Sequence, residues 1–95
     1  MADGEVPPLR LLTIVNTKGL HARASAKFVQ CAAKFDAQIS VVKDGSAVSG
    51  TSIMGLMMLG AGIGAEIAVS ASGRQAIAAL DAIEALIASK FGEDS

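Results

Sequence analysis

The chain has 95 residues, of which eight are Lys or Arg, nine are Asp or Glu and one is His, for a net charge of −1. That length allows one domain with a modest core, since a chain of this size buries only about 60 to 65% of its unfolded surface. The near-neutral charge excludes general nucleic-acid binding. Although 52% of the residues are hydrophobic, no run approaches the roughly 18 apolar residues of a membrane span, so no membrane insertion is expected.

Residues 1–8 are acidic and end in Pro7-Pro8, with neither the basic region nor the apolar stretch of a secretory signal. They read as a flexible tail, on a chain expected in the cytoplasm. Leu9 to Asn16 is rich in Leu, Ile and Val and runs into the polar Asn16-Thr17-Lys18-Gly19, which predicts a buried strand and then a loop. From Ala22 to Lys34, Ser25, Phe28, Val29 and Ala32 recur at intervals of three and four, predicting an amphipathic helix of about three turns. Cys31 lies on it, and as the only cysteine it reads as a small hydrophobe.

Ile39 and Val41 alternate with Ser40 before Asp44-Gly45, a strong hairpin signal, with Ser46 to Gly50 as the return strand. Thr51-Ser52 then precedes Ile53, Met54, Leu56, Met57 and Leu59, a short apolar helix with a hydroxyl residue at its N-cap. Gly60, Gly62 and Gly64 end it. That glycine cluster lacks the lysine of a phosphate-binding loop and reads as a plain turn. Glu66 to Ala71 predicts a strand with Ile67 and Val69 on one side. Ser72-Gly73-Arg74-Gln75 has capping-box spacing before a last helix, with Ile77, Leu80, Ile83 and Ile87 on one face and Asp81 and Glu84 on another. Lys90 is placed in its last turn and Gly92 at its end. The order βαββαβα predicts an α+β two-layer sandwich, helices on one face of an antiparallel sheet. A domain over 9–91 with a C-terminal tail at 92–95 is the expected organisation.

His21 is the only histidine, and it falls where the loop becomes a helix. The helix N-terminus favours an anion attached to the ring, and Arg23 offers a charge-assisted, potentially bidentate contact to phosphate oxygens. Between Lys18 and Lys43 five basic residues face Asp36 alone, so this end of the molecule is basic. A neutral imidazole nitrogen can attack a phosphoryl group, for which positioning and charge stabilisation are most of what is needed. A metal site finds no second ligand at suitable spacing. A hydrolytic triad finds no acidic partner nearby in sequence. A polar helix-start residue, a small ligand-binding domain and a docking regulator remain as alternatives for His21 on these grounds.

Gly19-Leu20-His21-Ala22-Arg23, Ala26, Phe28-Val29, Asp44-Gly45, Thr51 to Gly60 and Gly64-Ala65-Glu66-Ile67 together resemble the HPr phosphocarrier family of the phosphoenolpyruvate-dependent phosphotransferase system. The resemblance spans Leu9 to Phe91. It implies an open-faced β-sandwich, a four-stranded antiparallel sheet with three helices on one face. It also implies that His21 accepts a phosphoryl group on Nδ1 from phosphorylated Enzyme I and passes it to Enzyme IIA proteins, with Arg23 stabilising the phosphohistidine. The chain would then be a stoichiometric carrier without a cofactor or metal, a monomer, and not a catalyst in the strict sense.

Ser52-Ile53-Met54-Gly55 matches the motif recognised by HPr kinase/phosphorylase, which implies regulatory phosphorylation at Ser52 and, with it, regulatory client proteins. Ala22, Lys27, Ile53, Met54 and Met57 are the implied docking residues, with Leu56 and Leu59 in the core. Two departures stand out: Ala24 replaces the usual proline after the arginine, and Gly55 and Ala33 replace docking lysines. The segments Asn16 to Gly19 and Phe91 to Asp94 resemble the nitrogen-related branch, whose carriers serve regulation and not sugar uptake.

Overall fold

The structure is a computed structural model, and it describes residues 6–95. Four strands, β1 (Leu9–Thr13), β2 (Gln38–Lys43), β3 (Ser46–Ser49) and β4 (Glu66–Ser72), form one sheet in the order β1-β4-β2-β3. Every pairing is antiparallel: Leu11 lies opposite Ala68, Val41 opposite both Val69 and Val48. Alternation decides the faces. Leu12, Ile14, Ile39, Val41, Ile67 and Val69 are buried, while Leu9, Leu11 and Thr13 between them are exposed. Three helices, α1 (Ala22–Ala32), α2 (Ile53–Met58) and α3 (Ala76–Ala88), cover the buried face. The chain therefore has the α+β open-faced sandwich that its sequence implied.

The hairpin turn is the one expected. Asp44 and Gly45 have φ of 50° and 82°, both in the left-handed region that a tight primed turn requires. At α2 the expected cap also forms, with Ser52 Oγ accepting from Gly55 N at 3.0 Å. Such a cap typically contributes about 1 kcal/mol.

The start of α3 differs from expectation. Ser72 is the last residue of β4, and Gln75, the residue before the helix, makes no side-chain cap. Its Oε1 instead accepts from Asp36 N at 2.7 Å, so a capping box is replaced by a tie to the segment before β2. The core face of α3 also shifts: Ala76, Ala79, Leu80, Ile83 and Ile87 are buried, whereas Ile77 stands exposed. Alanines pack closely enough to let α3 approach the sheet, and Ile77 falls just outside that stripe. Asp81 and Glu84 both bind Arg10, at 2.8 and 2.9 Å, joining the polar side of α3 to β1.

The C-terminus departs most. α3 ends at Ala88, and Lys90 lies beyond its last turn, in a short 3-10 turn over Lys90–Gly92. Of the expected N-terminal tail, residues 1–5 lie outside the described residues. Pro8 is tied to the sheet, its carbonyl accepting from Ala71 N at 3.1 Å. Among the described residues no helix is long and apolar enough to cross a membrane.

Candidate functional site

The loop that carries His21 is fixed before the ring is reached. Gly19 has φ of 65°, and a Cβ built there would meet the Ala61 carbonyl oxygen at 2.3 Å and Gly62 Cα at 2.7 Å. Only glycine permits that approach. It lets Leu20 N donate to Ala61 O at 2.9 Å, so the glycine-rich turn after α2 supports the loop. Asn16 Nδ2 donates to Gly19 O at 2.9 Å, and Ser25 Oγ to Leu20 O at 3.1 Å. Both side chains are fully buried, and between them they close the loop on its own helix.

His21 is the N-cap residue of α1, with extended φ and ψ of −72° and −179°, and its side chain makes no capping bond. The first free intrahelical donor to find a partner is Ser25 N, which bonds to His21 O at 2.8 Å. The earlier amides of the first turn therefore have no intrahelical acceptor, which makes the helix start that follows His21 a ready anion site. Ala24, buried in this turn, leaves the helix start at Ala22 even though proline is absent. Arg23 is exposed and makes no ion pair among the described residues. A shallow hollow of about 650 Å³ opens here, bounded by His21, Arg23, Lys18 and Lys27 on one side and Gly92 and Glu93 on the other.

Glu93 is the residue that sequence reasoning missed. Its Oε2 lies 2.5 Å from Nε2 of His21, and its Oε1 accepts from Asn16 Nδ2 at 3.1 Å. Those hydrogen bonds, from His21 first and Asn16 second, hold the Glu93 carboxyl below its ordinary range, against a smaller opposing effect of burial. Glu93 is thus ionised near neutral pH and can only accept. Nε2 of His21 must then be the donor, and in the neutral ring the lone pair falls on Nδ1, which has no hydrogen-bond partner among the described residues.

Its delivery depends on backbone strain. Lys90 and Phe91 have φ of 59° and 55°, and Gly92 follows at 76°. Each non-glycine residue there costs roughly 1–2 kcal/mol. The Phe91 ring, 1% exposed, and a 2.6 Å bond from Lys27 Nζ to the Phe91 carbonyl offset that strain. No local pattern announces a left-handed Lys-Phe pair, and a contact across 72 positions has no periodicity to betray it. The short spacing of Gly92 and Glu93 from the buried Phe91 was the only available signal.

The other predicted residues fall around this centre. Ala22 is exposed beside His21. Ile53, Met54 and Met57 are 40%, 68% and 40% exposed on α2, with Leu56 and Leu59 buried beneath them, as expected. Met58, 80% exposed at the end of α2, adds to the apolar residues this helix exposes. Ser52 is half-buried at its edge. Cys31 is half-buried rather than fully so, and burial pushes its thiol up, which makes it a poor nucleophile.

Residues 10–89 match the family model described as the PTS HPr component phosphorylation site. The chain belongs to the HPr/NPr phosphocarrier family of the phosphotransferase system. The phosphocarrier protein HPr of Cupriavidus necator is 49% identical over 81 residues, 85% of this chain and 91% of that one. The phosphocarrier protein NPr of Shewanella violacea is 46% identical over 86 residues, 90% of this chain and 94% of that one. Among solved structures, HPr-C-His from Thermoanaerobacter tengcongensis superposes with a TM-score of 0.88 at 45% identity, covering 93% of this chain and 99% of that one. Membership in the HPr/NPr family gives the chain a phosphocarrier role.

Proposed function

We infer that His21 is the phosphoryl acceptor and that Nδ1 is the accepting atom. The observation that carries this reading is the Glu93 contact, which occupies Nε2 and leaves the Nδ1 lone pair available. In the transfer, Nδ1 attacks phosphorus of phosphorylated Enzyme I. The new Nδ1–P bond forms as the donor's bond to phosphorus breaks, and the donor atom keeps that electron pair. The ring retains its Nε2 proton and gains positive charge, which the Glu93 carboxylate offsets. Arg23 and the first-turn amides of α1 take the phosphoryl oxygens. The reverse sequence, with Nδ1 as leaving group, delivers the phosphoryl group to an Enzyme IIA protein. The chain is restored after each cycle and acts stoichiometrically, without a cofactor, in the cytoplasm.

The apolar surface of α2 is the docking face in this reading. Ile53, Met54 and Met57 supply adaptable contacts for successive partners, with Ala22 and Lys27 beside them. Ser52 is a second phosphorylation site, for an HPr kinase/phosphorylase. A phosphate there adds about −1.5 to −2 charge beside that face and repels acidic partners. Client proteins that recognise the modified face would be its regulatory readout.

Incubation with Enzyme I and phosphoenolpyruvate tests the reading. The wild type acquires an acid-labile, base-stable phosphate and His21→Ala acquires none; equal labelling of both overturns it. Running the same assay against Enzyme IIA proteins of the sugar-uptake and nitrogen-related kinds identifies the acceptor.

A further inference from the structure

Glu93 reaches His21 because the chain reverses after α3, and bonds from two other elements hold that reversal. A run of three left-handed residues, two of them not glycine, persists only where its surroundings over-determine it. Lys27, on α1, grips the run from one side through the Phe91 carbonyl at 2.6 Å. Asn16, in the loop before His21, grips the carboxylate itself from the other.

Asn16 shows more than packing. It is fully buried, and its Nδ2 serves two acceptors, Gly19 O and Glu93 Oε1. With both acceptors on Nδ2 the amide orientation is fixed, and Oδ1 is left without a partner among the described residues. A buried polar atom in that state is costly, and an apolar residue of similar size would avoid the cost if only volume mattered. What an apolar residue could not do is join the loop of His21 to Glu93.

We propose that Asn16 and Lys27 are positioning residues for phosphoryl acceptance, holding Lys90–Glu93 so that Glu93 sits on Nε2 of His21. This rests on His21 being the acceptor. It also gives Lys27 a role distinct from docking, because its ammonium is spent on the backbone of its own chain and is less available to a partner.

The test is a ¹³C titration of the Glu93 carboxyl in the full chain, alongside phosphoryl transfer from phosphorylated Enzyme I at varied carrier concentration. The carboxyl is faced by His21, Asn16 and Lys18, while Lys27 bonds the Phe91 backbone. A change at Glu93 on altering Lys27 therefore reports position, not a lost direct contact. In Lys27→Met the Glu93 titration moves up toward the ordinary carboxylate range. Transfer at saturating carrier falls about tenfold, as displaced catalytic groups commonly cause. Lys27→Arg restores both. Asn16→Ser gives the same pair of changes, and should it fail to fold, the two Lys27 variants decide alone. A folded Lys27→Met with Glu93 unmoved and only KM raised makes Lys27 a docking cation and overturns the proposal. If the wild type accepts no phosphoryl group, the acceptor reading fails, while an upward move of Glu93 in Lys27→Met still supports the clamp.

Discussion

Glu93 and His21 stand 72 positions apart in the chain, yet Oε2 of one lies 2.5 Å from Nε2 of the other. The carboxylate selects which ring nitrogen carries the proton and so which can act as nucleophile. If His21 is the acceptor, Glu93→Gln, whose amide is neutral, keeps the shape but loses the compensation of charge on the phosphorylated ring. Phosphoryl acceptance is expected to slow by about tenfold without being abolished, in contrast to His21→Ala. Single-turnover labelling by phosphorylated Enzyme I measures it, and an unchanged rate shows that Glu93 is a bystander.

The same contact predicts a dependence on acid. The folded chain holds Glu93 below its ordinary value of 4.5, chiefly through the His21 bond. A depressed carboxyl contributes stability that is present above the unfolded value and is lost as pH falls through the lower folded value. The Tm difference between wild type and Glu93→Gln should therefore be largest above about pH 4.5 and vanish on further acidification. A difference constant across that range is the contrary result.

Much of this architecture is legible from periodicity. Apolar alternation at Ile39/Val41 and Ile67/Val69, the three-and-four spacing of α1 and the Asp44-Gly45 turn each report local geometry, and local geometry is what a sequence states directly. The placement of His21 and Arg23 at the start of α1 was legible for the same reason, since a loop-to-helix transition is local. Gln75 and Glu93 were not. Gln75 abandons its own helix for Asp36 N, and Glu93 serves a ring at the far end of the chain. Ile77 fits an apolar stripe by spacing alone, but the small Ala76 and Ala79 bring α3 close on another side. In each case a tertiary partner outweighed the local pattern.

Gly19→Ala should damage the loop more than its size implies. The added Cβ would strike the Ala61 carbonyl, and alanine at a φ of 65° carries its own penalty. A loss of about 2 kcal/mol or more in urea denaturation is expected, with slower phosphoryl acceptance as His21 shifts. Wild-type stability would show that the turn at Ala61-Gly62 yields freely.

Ser52→Ala removes the acceptor for Gly55 N and leaves that donor in need of another. The expected loss is about 1 kcal/mol, read as a lower midpoint in urea at unchanged m-value. ATP-dependent labelling by an HPr kinase/phosphorylase should disappear in the same variant. Labelling that persists places the modification elsewhere, and an unaltered midpoint shows that another acceptor replaces the cap.

The α2 surface separates docking from folding. Met54 and Met58 are 68% and 80% exposed, so neither side chain contributes much burial, whereas Leu56 beneath them is fully buried. Met54→Glu should leave Tm nearly unchanged, because surface substitutions away from caps and packed contacts usually stay within about 0.5 kcal/mol. Leu56→Ala, by contrast, removes core packing and should lose about 2–5 kcal/mol. If α2 is the docking face, Met54→Glu weakens binding to Enzyme I or an Enzyme IIA protein by tenfold or more, about 1.4 kcal/mol, since a charge replaces an apolar contact where water is excluded. Calorimetric titration of the two partners with wild type and Met54→Glu measures the difference. Equal affinity, in a variant that melts with the wild type, moves the docking face away from α2 and toward the basic side of α1, where Arg23 remains exposed and without an ion pair among the described residues.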